Sequence, residues 1–245
     1  MCRFLMVRSS QRVSPGPFLA EFAALVRESK SYDGDWQGDG WGISWVAGTE
    51  NERGPVWKEF HSLHPIWEGT RRFRDFPGCR VFLAHARSAT FAEHKGVVAF
   101  NQPYNGGRFA FVFNGLIRGM RLSRPVPGKI GAQKLWALIR KDLATMTPLE
   151  ALAGLRKTVL HGARDVQALN IGLSDGQGIF AVCQFSRHPV YYTLHVHQSE
   201  RLDIIASEPL GGHAFRPLQS GECIGFTTGW EGRHGQGVRL SGREP

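Results

Sequence analysis

Short apolar runs of strand length, interrupted near the middle by two consecutive helical segments, most constrain the fold of this chain. The runs before the helical segments are residues 2–7, 41–46, 56–60, 80–86 and 109–114. The runs after them are residues 168–173, 179–185, 190–197 and 202–206. Asp175-Gly176, between two of these runs, indicates a hairpin turn. Strands on both sides of paired helices predict helices layered on an antiparallel or mixed sheet.

Apolar residues at helical spacing mark the helical segments. The consecutive pair covers residues 132–143 and 147–160, and the second member opens with the Thr-Pro-Leu-Glu pattern of a capping box with Pro at the first helical position. A further helix is predicted over residues 18–30, and a short basic helix over residues 65–76.

The size and composition of the chain indicate a globular protein. Its 245 residues suffice for one large domain or two small ones. The 42% hydrophobic, 21% charged and 11% aromatic residues exclude a disordered, collagen-like or coiled-coil chain. No linker divides the sequence, so we expect a single domain over residues 1–245. Residues 226–245 are Gly-rich and polar, and we expect a loose tail there.

Neither a membrane span nor a signal peptide is expected. No apolar stretch approaches the roughly 18 residues that a membrane span needs. Arg3, Arg8 and Arg12 interrupt the first apolar segment, which is too short for a signal peptide. We therefore expect a cytoplasmic protein without a membrane partner. The four cysteines have no CxxC spacing and predict neither a zinc site nor a disulfide framework.

The formal net charge of +9 comes from 30 Lys and Arg residues against 21 Asp and Glu residues. A basic balance of this size can indicate nucleic acid or another anionic partner. The basic residues are scattered, and only Arg71, Arg72 and Arg74 cluster. A solvated basic surface is therefore the simpler interpretation, and nucleic-acid binding is disfavoured.

Cys2 is the first candidate for chemistry, because removal of Met1 would leave a thiol and an unblocked α-amine on one residue. Methionine aminopeptidase normally removes Met before a small residue. An α-amine has a pKa of roughly 7.7–8.0 and can act as a base near neutral pH. A base within reach activates a thiol as nucleophile, which is the N-terminal-nucleophile arrangement. A small second residue also occurs by chance, so Cys2 alone does not decide the function.

Two further short motifs follow predicted strands. In the motif that runs from His85 to Thr90, Arg87 could hold a carboxylate through two parallel hydrogen bonds, and Thr90 could add a hydroxyl or backbone contact. Without context, a surface arginine and a core histidine are the simpler interpretation. Asn114-Gly115 is a strong hairpin signal, yet its side-chain amide and backbone N–H could also form an oxyanion hole. Both interpretations hold if the turn lies at the site.

Two other patterns do not predict a site. Residues 38–42, Gly-Asp-Gly-Trp-Gly, lack the GxGxxG spacing and lead into a strand rather than a helix, which excludes a dinucleotide loop. His195 and His197 share one face of a predicted strand. No Asp, Glu or Cys at ligand spacing completes a metal set, so we expect exposed histidines and no metal.

Taken together and in order, six short stretches resemble the class II glutamine amidotransferase family, especially its free-standing members. They are MCRFL at 1–5, GDGWGISW at 38–45, HARSAT at 85–90, NQPY at 101–104, FNGLI at 113–117 and ASEPL at 206–210. Each stretch is short, but their order over most of the chain is specific. The resemblance implies an α+β fold, the N-terminal-nucleophile four-layer αββα sandwich with two packed antiparallel sheets.

The resemblance also implies roles for individual residues. Cys2 would be the nucleophile with its own amine as general base, and Arg87 with Thr90 would bind the substrate α-carboxylate. Asn114 and Gly115 would form the oxyanion hole. The supporting residues would be Asp39, Trp41, His85, Ser207 and Glu208. No cofactor and no metal are implied.

One stretch departs from the family pattern. Family members commonly carry an SDSE- or SDTE-like stretch before the helix at 132–143, and its Asp binds the substrate α-ammonium. Here the stretch reads Ile130-Gly131-Ala132-Gln133. A buried ammonium without a carboxylate partner is costly. Either another acid supplies the charge, or the substrate is not ordinary glutamine, or the activity is weak.

We therefore expect an amidohydrolase in which Cys2 attacks the γ-amide of glutamine or a γ-glutamyl compound and releases glutamate with ammonia or an amine. The expected partner is that small-molecule amide, while a separate synthase subunit that accepts the ammonia, and a homo-oligomer, stay open. The alternative is a catalytically weak or inactive family member that acts as a binding or regulatory subunit. The absence of the expected Asp near Gly131 motivates this alternative.

Overall fold

The structure of the protein is a computed structural model that describes residues 1–29, 32, 34, 36–50 and 54–227. The strands are β1 (Arg3–Val13), β2 (Trp41–Glu50), β3 (Gly54–Ser62), β4 (Cys79–Ala86), β5 (Tyr104–Gly106), β6 (Phe109–Arg118), β7 (Asp165–Ser174), β8 (Ile179–Val182), β9 (His195–Gln198), β10 (Leu202–Ala206), β11 (Arg216–Pro217) and β12 (Cys223–Phe226). The helices are α1 (Pro15–Glu28), α2 (Gly131–Asp142), α3 (Pro148–Gly162) and α4 (Pro189–Tyr192). Short 3-10 helices cover Ile66–Glu68, Thr70–Asp75, Ala92–His94 and Val98–Phe100.

These strands form two antiparallel sheets. The first has seven strands in the order β11-β9-β10-β1-β4-β2-β3, and the second has five in the order β12-β8-β7-β6-β5. In the first sheet Leu5 lies opposite Ala206 of β10 and Ala84 of β4. Because β1 is the central strand of the larger sheet, the residues next to Cys2 are held by strands on both sides.

Side chains of the central strands alternate between two buried layers. On β1, Leu5 packs with apolar residues of α1, whereas Phe4 and Met6 pack between the two sheets. On β6, Phe111 packs with apolar residues of α2 and α3, whereas Val112 packs between the sheets. The layers therefore follow the order α1, first sheet, second sheet, then α2 with α3. This arrangement confirms the four-layer αββα sandwich.

The helix signals of the sequence are confirmed for α1, α2 and α3. The capping box of α3 is formed, since the Thr147 side chain accepts from the backbone N–H of Glu150 and the Glu150 carboxylate accepts from the backbone N–H of Thr147 at 2.9 Å. Helix α1 begins three residues before the predicted start at Phe18. Ser14 caps it by accepting from the backbone N–H of Gly16 at 3.3 Å.

Two regular elements differ from their prediction. The basic segment over residues 65–76 forms two 3-10 helices, Ile66–Glu68 and Thr70–Asp75, rather than one helix. The strand predicted over residues 190–197 is wrong in its first half, because Pro189 opens the short helix α4 and the strand begins only at His195.

The hairpin turn predicted at Asn114-Gly115 is wrong, because both residues lie inside β6. The strand pairs with β7 from Ala110 to Arg118, so long-range pairing overrides the local turn signal. A glycine fits this strand for a different reason, since a Cβ at position 115 would lie 2.2 Å from the carbonyl oxygen of Ala168.

The hairpin predicted at Asp175-Gly176 is confirmed between β7 and β8. The Asp175 carboxylate accepts from the backbone N–H groups of Gln177 and Gly178 at 3.0 and 2.8 Å, and Gly176 has a φ of +85°. At the other end of the chain, Phe226 is the last residue of β12 and is not part of a loose tail. Residues 228–245 of that tail lie outside the described residues. Within the described ranges, no helix has the length and apolarity needed to cross a membrane.

Gly172 of β7 faces the layer between the sheets, where there is no room for a side chain. A Cβ there would lie 2.2 Å from Met6 Sδ and 2.7 Å from Val112 Cγ2. We expect Gly172→Ala to lower the free energy of unfolding by about 1–3 kcal/mol, as overpacking does in a close-packed core. Urea unfolding followed by circular dichroism measures this.

The matched control is Gly154→Ala in α3, where no atom lies within 4 Å of the added Cβ. The free energy of unfolding of that variant should rise by about 0.5–1 kcal/mol, because alanine is more favourable than glycine in a helix interior. A Gly172→Ala variant as stable as Gly154→Ala would contradict the close approach of the sheets.

Candidate active site

A single cavity brings together residues from four of the stretches singled out in the sequence. Cys2, Arg87 with Thr90, Gln102 and Gly115 line it, and its volume is about 250 Å³. The first turn of α2, at Gly131, forms another part of its wall. A cavity of this size suits a small molecule, with polar groups from separate segments fixing its orientation.

Cys2 is the accessible thiol of this chain. It is partly exposed, and its Sγ lies 3.6 Å from the carbonyl oxygen of Ser88. The other three cysteines are buried, and burial raises the pKa of Cys79 and Cys183 to about 12 and of Cys223 to about 11. Those three thiols stay protonated near neutral pH, which leaves Cys2 as the candidate nucleophile.

Arg87 is buried and held in place by polar contacts. Its guanidinium donates to the side-chain oxygen of Asn101 at 3.2 Å and to the carbonyl oxygens of His94 at 2.5 Å and Val97 at 3.5 Å. Only 4% of Arg87 is exposed. Three of the five guanidinium N–H donors are used within the described residues, and two have no partner there. Such a pre-positioned guanidinium suits a carboxylate.

Asp39 braces the segment that carries Arg87. Its carboxylate accepts from the backbone N–H of Ala89 at 2.7 Å and lies 3.3 Å from Lys95 Nζ. The backbone N–H of Asp39 also donates to the carbonyl oxygen of Arg87 at 3.0 Å. Trp41, expected beside it, lies instead in the core between α1 and the first sheet and does not line the cavity.

The backbone of Phe113 is fixed by two side chains from other segments. Gln102 accepts from its N–H at 2.6 Å and donates to its carbonyl oxygen at 3.3 Å. His85 Nε2 lies 3.2 Å from the same carbonyl oxygen. Because a carbonyl only accepts, His85 carries its proton on Nε2. Burial lowers the pKa of His85 to about 3, so the ring is neutral at physiological pH. The residues that follow, Asn114 and Gly115, are thereby held in position.

Asn114 is buried, with 1% of its surface exposed, and neither its side-chain nitrogen nor its oxygen has a hydrogen-bond partner among the described residues. An unsatisfied buried amide is costly and needs an explanation. It shares the layer between the sheets with alternate residues of β6, whereas Gly115 reaches the cavity wall. Asn114, expected in the oxyanion hole, is thus next to the cavity but is not one of its lining residues.

Ser207 and Glu208 hold the start of β1. Ser207 Oγ accepts from the backbone N–H of Phe4 at 3.0 Å. The Glu208 carboxylate pairs with Arg3, whose guanidinium also donates to the carbonyl oxygen of Tyr191 at 2.6 Å and lies 3.6 Å from the Tyr191 ring centre. These contacts hold Arg3 and Phe4, the residues that directly follow Cys2, in position. The sequence motif identified these two residues, and the structure shows what they contact.

Gln37 and Tyr191 lie next to the bond between Met1 and Cys2. The side-chain nitrogen of Gln37 and the hydroxyl of Tyr191 both donate to the carbonyl oxygen of Met1, at 2.9 and 3.0 Å. The side-chain oxygen of Gln37 is buried without a partner among the described residues. Sequence reasoning missed Gln37, Tyr191 and Gln102, since none of them has a spacing that links it to its distant partner.

The position of the missing acid is at the cavity wall, as the sequence indicates. Gly131 is the first residue of α2, and the first turn of this helix has no acidic side chain and no side-chain cap. Lys129 lies beside it on the same wall. No Asp or Glu of the described part of the chain lines the cavity.

The histidine pair of β9 is not part of this cavity. Burial lowers the pKa of His195, which is thus not the exposed residue that the strand pattern suggests. In the part of the chain that the structure describes, no group of three or more His, Cys, Asp or Glu side chains could hold a metal ion.

Comparison with solved structures identifies proteins of similar fold. A glutamine aminotransferase class-II domain protein from Silicibacter pomeroyi matches with a TM-score of 0.56 and 17% identity over 93% of this chain and 95% of that chain. Glutamine phosphoribosylpyrophosphate amidotransferase from B. subtilis, in complex with ADP and GMP, matches with a TM-score of 0.66 and 13% identity. This chain has a class II glutamine amidotransferase-like fold.

The match with the B. subtilis protein covers 93% of this chain but 47% of that protein. This chain therefore spans about half the length of the B. subtilis protein. No family model and no curated protein sequence matches. Identities of 13 and 17% establish the fold alone.

The neutral, buried His85 gives this fold a pH-dependent stability. In the unfolded chain a histidine titrates near 6.5, whereas burial lowers the folded pKa to about 3. Between these values the unfolded state binds more protons, so the free energy of unfolding falls as the pH falls from 6.5 towards 3. The lowered pKa of His195 acts in the same direction.

We expect His85→Gln, which keeps an N–H donor but does not titrate, to be less stable than wild type at pH 7.5 and to lose less stability between pH 6.5 and 4. Urea unfolding at a series of pH values measures both. His64→Gln is the control, because the His64 ring is 81% exposed, and it should follow the wild-type curve. Parallel curves for wild type and His85→Gln would rule out a neutral folded His85.

Proposed function

We propose that this chain is a glutamine amidotransferase-like amidohydrolase with an N-terminal cysteine nucleophile. The observation that carries the proposal is the shared cavity of Cys2, Arg87 and Gly115. One accessible thiol, one buried guanidinium with donors to spare and one backbone N–H then face a common space. The class II glutamine amidotransferase-like fold supports the same assignment.

The proposed reaction has two stages. After removal of Met1, the α-amine of Cys2 takes the thiol proton and Sγ attacks the amide carbonyl of a γ-glutamyl compound. The oxyanion receives hydrogen bonds from the Asn114 amide and the Gly115 N–H, and Arg87 with Thr90 binds the substrate carboxylate. The α-amine passes the proton to the departing nitrogen, so the C–N bond breaks as a thioester remains. Water then cleaves the thioester and releases the acid.

Gln37 and Tyr191 are proposed to position the α-amine. Both donate to the Met1 carbonyl oxygen before processing, and that oxygen leaves with Met1. The partnerless side-chain oxygen of Gln37 and the hydroxyl oxygen of Tyr191 can then accept N–H groups of the new amine. Burial raises the pKa of Tyr191, so its hydroxyl stays protonated and adapts as donor or acceptor.

The proposal extends to the setting of the enzyme. We propose one glutamine amidotransferase domain over the chain, acting in the cytoplasm, where a reducing environment keeps a catalytic thiol reduced. Ammonia or an amine leaves the site either to a separate synthase subunit or to solvent. The second candidate function is a binding or regulatory subunit of the same fold, favoured by the absence of an acid among the lining residues that the structure describes.

Substitution of the nucleophile tests the proposal directly. The processed chain, checked by intact-mass measurement for loss of Met1, should release ammonia from γ-carboxamides such as L-glutamine and glutaramate. Cys2→Ala should lose at least about 10³-fold in rate, because no other group supplies the nucleophile. Cys79→Ala is the control, since Cys79 is buried in the core. Equal rates for wild type and Cys2→Ala would end the assignment and favour the binding subunit.

The pH profile tests the role of Gln37. Replacing it by Met removes an acceptor for the α-ammonium, which lowers the pKa of the amine. The acid limb of kcat/KM should therefore move to lower pH in Gln37→Met, together with a loss of rate. Gln11→Met, at an exposed position, should keep the wild-type profile. A lower rate with an unmoved acid limb would mean that Gln37 is structural only.

A further inference from the structure

Among the described residues, the charged side chains that line the cavity are basic. Arg87 lies at the wall, Lys129 lies at an exposed edge of the wall, and the His94 ring lies on the same wall. No described lining residue is an Asp or a Glu. Arg87 and Lys129 therefore place a bound molecule in a positive electrostatic environment.

Two acidic residues on described segments next to the cavity do not line it. One carboxylate oxygen of Asp39 accepts from the Ala89 N–H, and the other pairs with Lys95. Glu93 is exposed in the 3-10 helix Ala92–His94 and does not line the cavity. Neither side chain is placed to neutralise a cation in the cavity.

The first turn of α2 adds to the positive potential. This helix has 12 residues and begins at Gly131 on the cavity wall, with no side chain capping its N-terminal N–H groups. Such a terminus favours negative charge. An observation independent of the helix also points to an anionic ligand, namely the buried Arg87 guanidinium on the same cavity wall.

A bound amino acid with a free α-ammonium would bring a cation into these surroundings. With its amide at Cys2 and its carboxylate at Arg87, the ammonium would meet no carboxylate among the described residues of the wall. Desolvating a cation without a partner, close to a guanidinium, is strongly unfavourable. A molecule with the same amide and carboxylate but no ammonium avoids this cost.

We infer that the cavity takes ω-monoamides of dicarboxylic acids whose α-carbon carries no free ammonium, such as deaminated or N-acylated glutamine. This inference rests on the proposed function and narrows its substrate class. For the deaminated amide, glutaramate, the thioester at Cys2 is hydrolysed to glutarate and one ammonia leaves, with one water consumed.

Turnover of matched amides tests the inference. The processed enzyme should show kcat/KM for glutaramate at least about tenfold above that for L-glutamine, with both activities lost in Cys2→Ala. N-acetyl-L-glutamine should also exceed L-glutamine. A preference for L-glutamine would overturn the inference while leaving the proposed function intact. If that preference disappeared in Glu93→Gln, Glu93 would be the missing acid.

Restoring an acid provides the matched variant. Position 131 tolerates a side chain, because no atom lies within 4 Å of a Cβ built there. Gly131→Asp should lower the ratio of glutaramate to L-glutamine kcat/KM at least about tenfold, whereas the uncharged Gly131→Asn should change this ratio much less. Equal ratios in Gly131→Asp and Gly131→Asn would contradict the charge argument.

Binding of products separates failure of the inference from failure of the proposed function. Thermal unfolding of Cys2→Ala with glutarate or L-glutamate requires no turnover. A larger increase in Tm with glutarate supports the inference even if the chain proves inactive. An equal or larger increase with L-glutamate, or no increase with either, overturns it.

Discussion

The hydrogen bonds on the backbone of Phe113 connect the parts of this site, and the geometry of the cavity depends on them. His85 reaches Phe113 from β4 of the first sheet, and Gln102 reaches it from the segment before β5. Apolar packing between the sheets brings them together but is not directional. Directional bonds to one residue of β6 instead fix where the following residues, Asn114 and Gly115, lie relative to the segment that carries Arg87.

Four of the eight buried side-chain atoms without a partner among the described residues lie in this region. The side chain of Asn114, the oxygen of Gln37 and Nδ1 of His85 are buried without partners among the described residues. Each costs stability, whereas the three apolar layers supply the free energy that offsets them. Natural proteins keep such costs where function requires them, which fits the position of these groups beside Cys2 and Gly115.

Local signals predicted the regular elements better than the contacts of the site. The α3 capping box and the Asp175-Gly176 hairpin depend on residues within one turn, and both are formed. Asn114-Gly115 has the same kind of local signal, but pairing with β7 decides its conformation. At Pro189 the local signal decides the structure instead. The proline begins a short helix at a run of residues whose apolar pattern predicted a strand.

The candidate site was predictable where a motif carries the chemistry and not where a single side chain crosses the fold. Order along the chain identified Cys2, Arg87 and Gly115, which the structure places on one cavity. Trp41 belongs to an equally recognisable motif, yet its large apolar side chain packs in the core. Gln37 contacts Met1 from 36 residues away, and such a pairing follows only from how β1 is packed.

The contacts that hold the start of β1 do not involve Met1. Ser207 and Glu208 hold Phe4 and Arg3, the residues after Cys2, so loss of Met1 removes none of these contacts. Removal instead costs the packing of the Met1 side chain against Tyr191 and its neighbours, together with two hydrogen bonds to its carbonyl oxygen. In the proposed mechanism, an amine that can donate would then lie beside groups that can accept. Processing would thus replace apolar burial by polar contacts at the proposed base, while the contacts that hold β1 would stay in place.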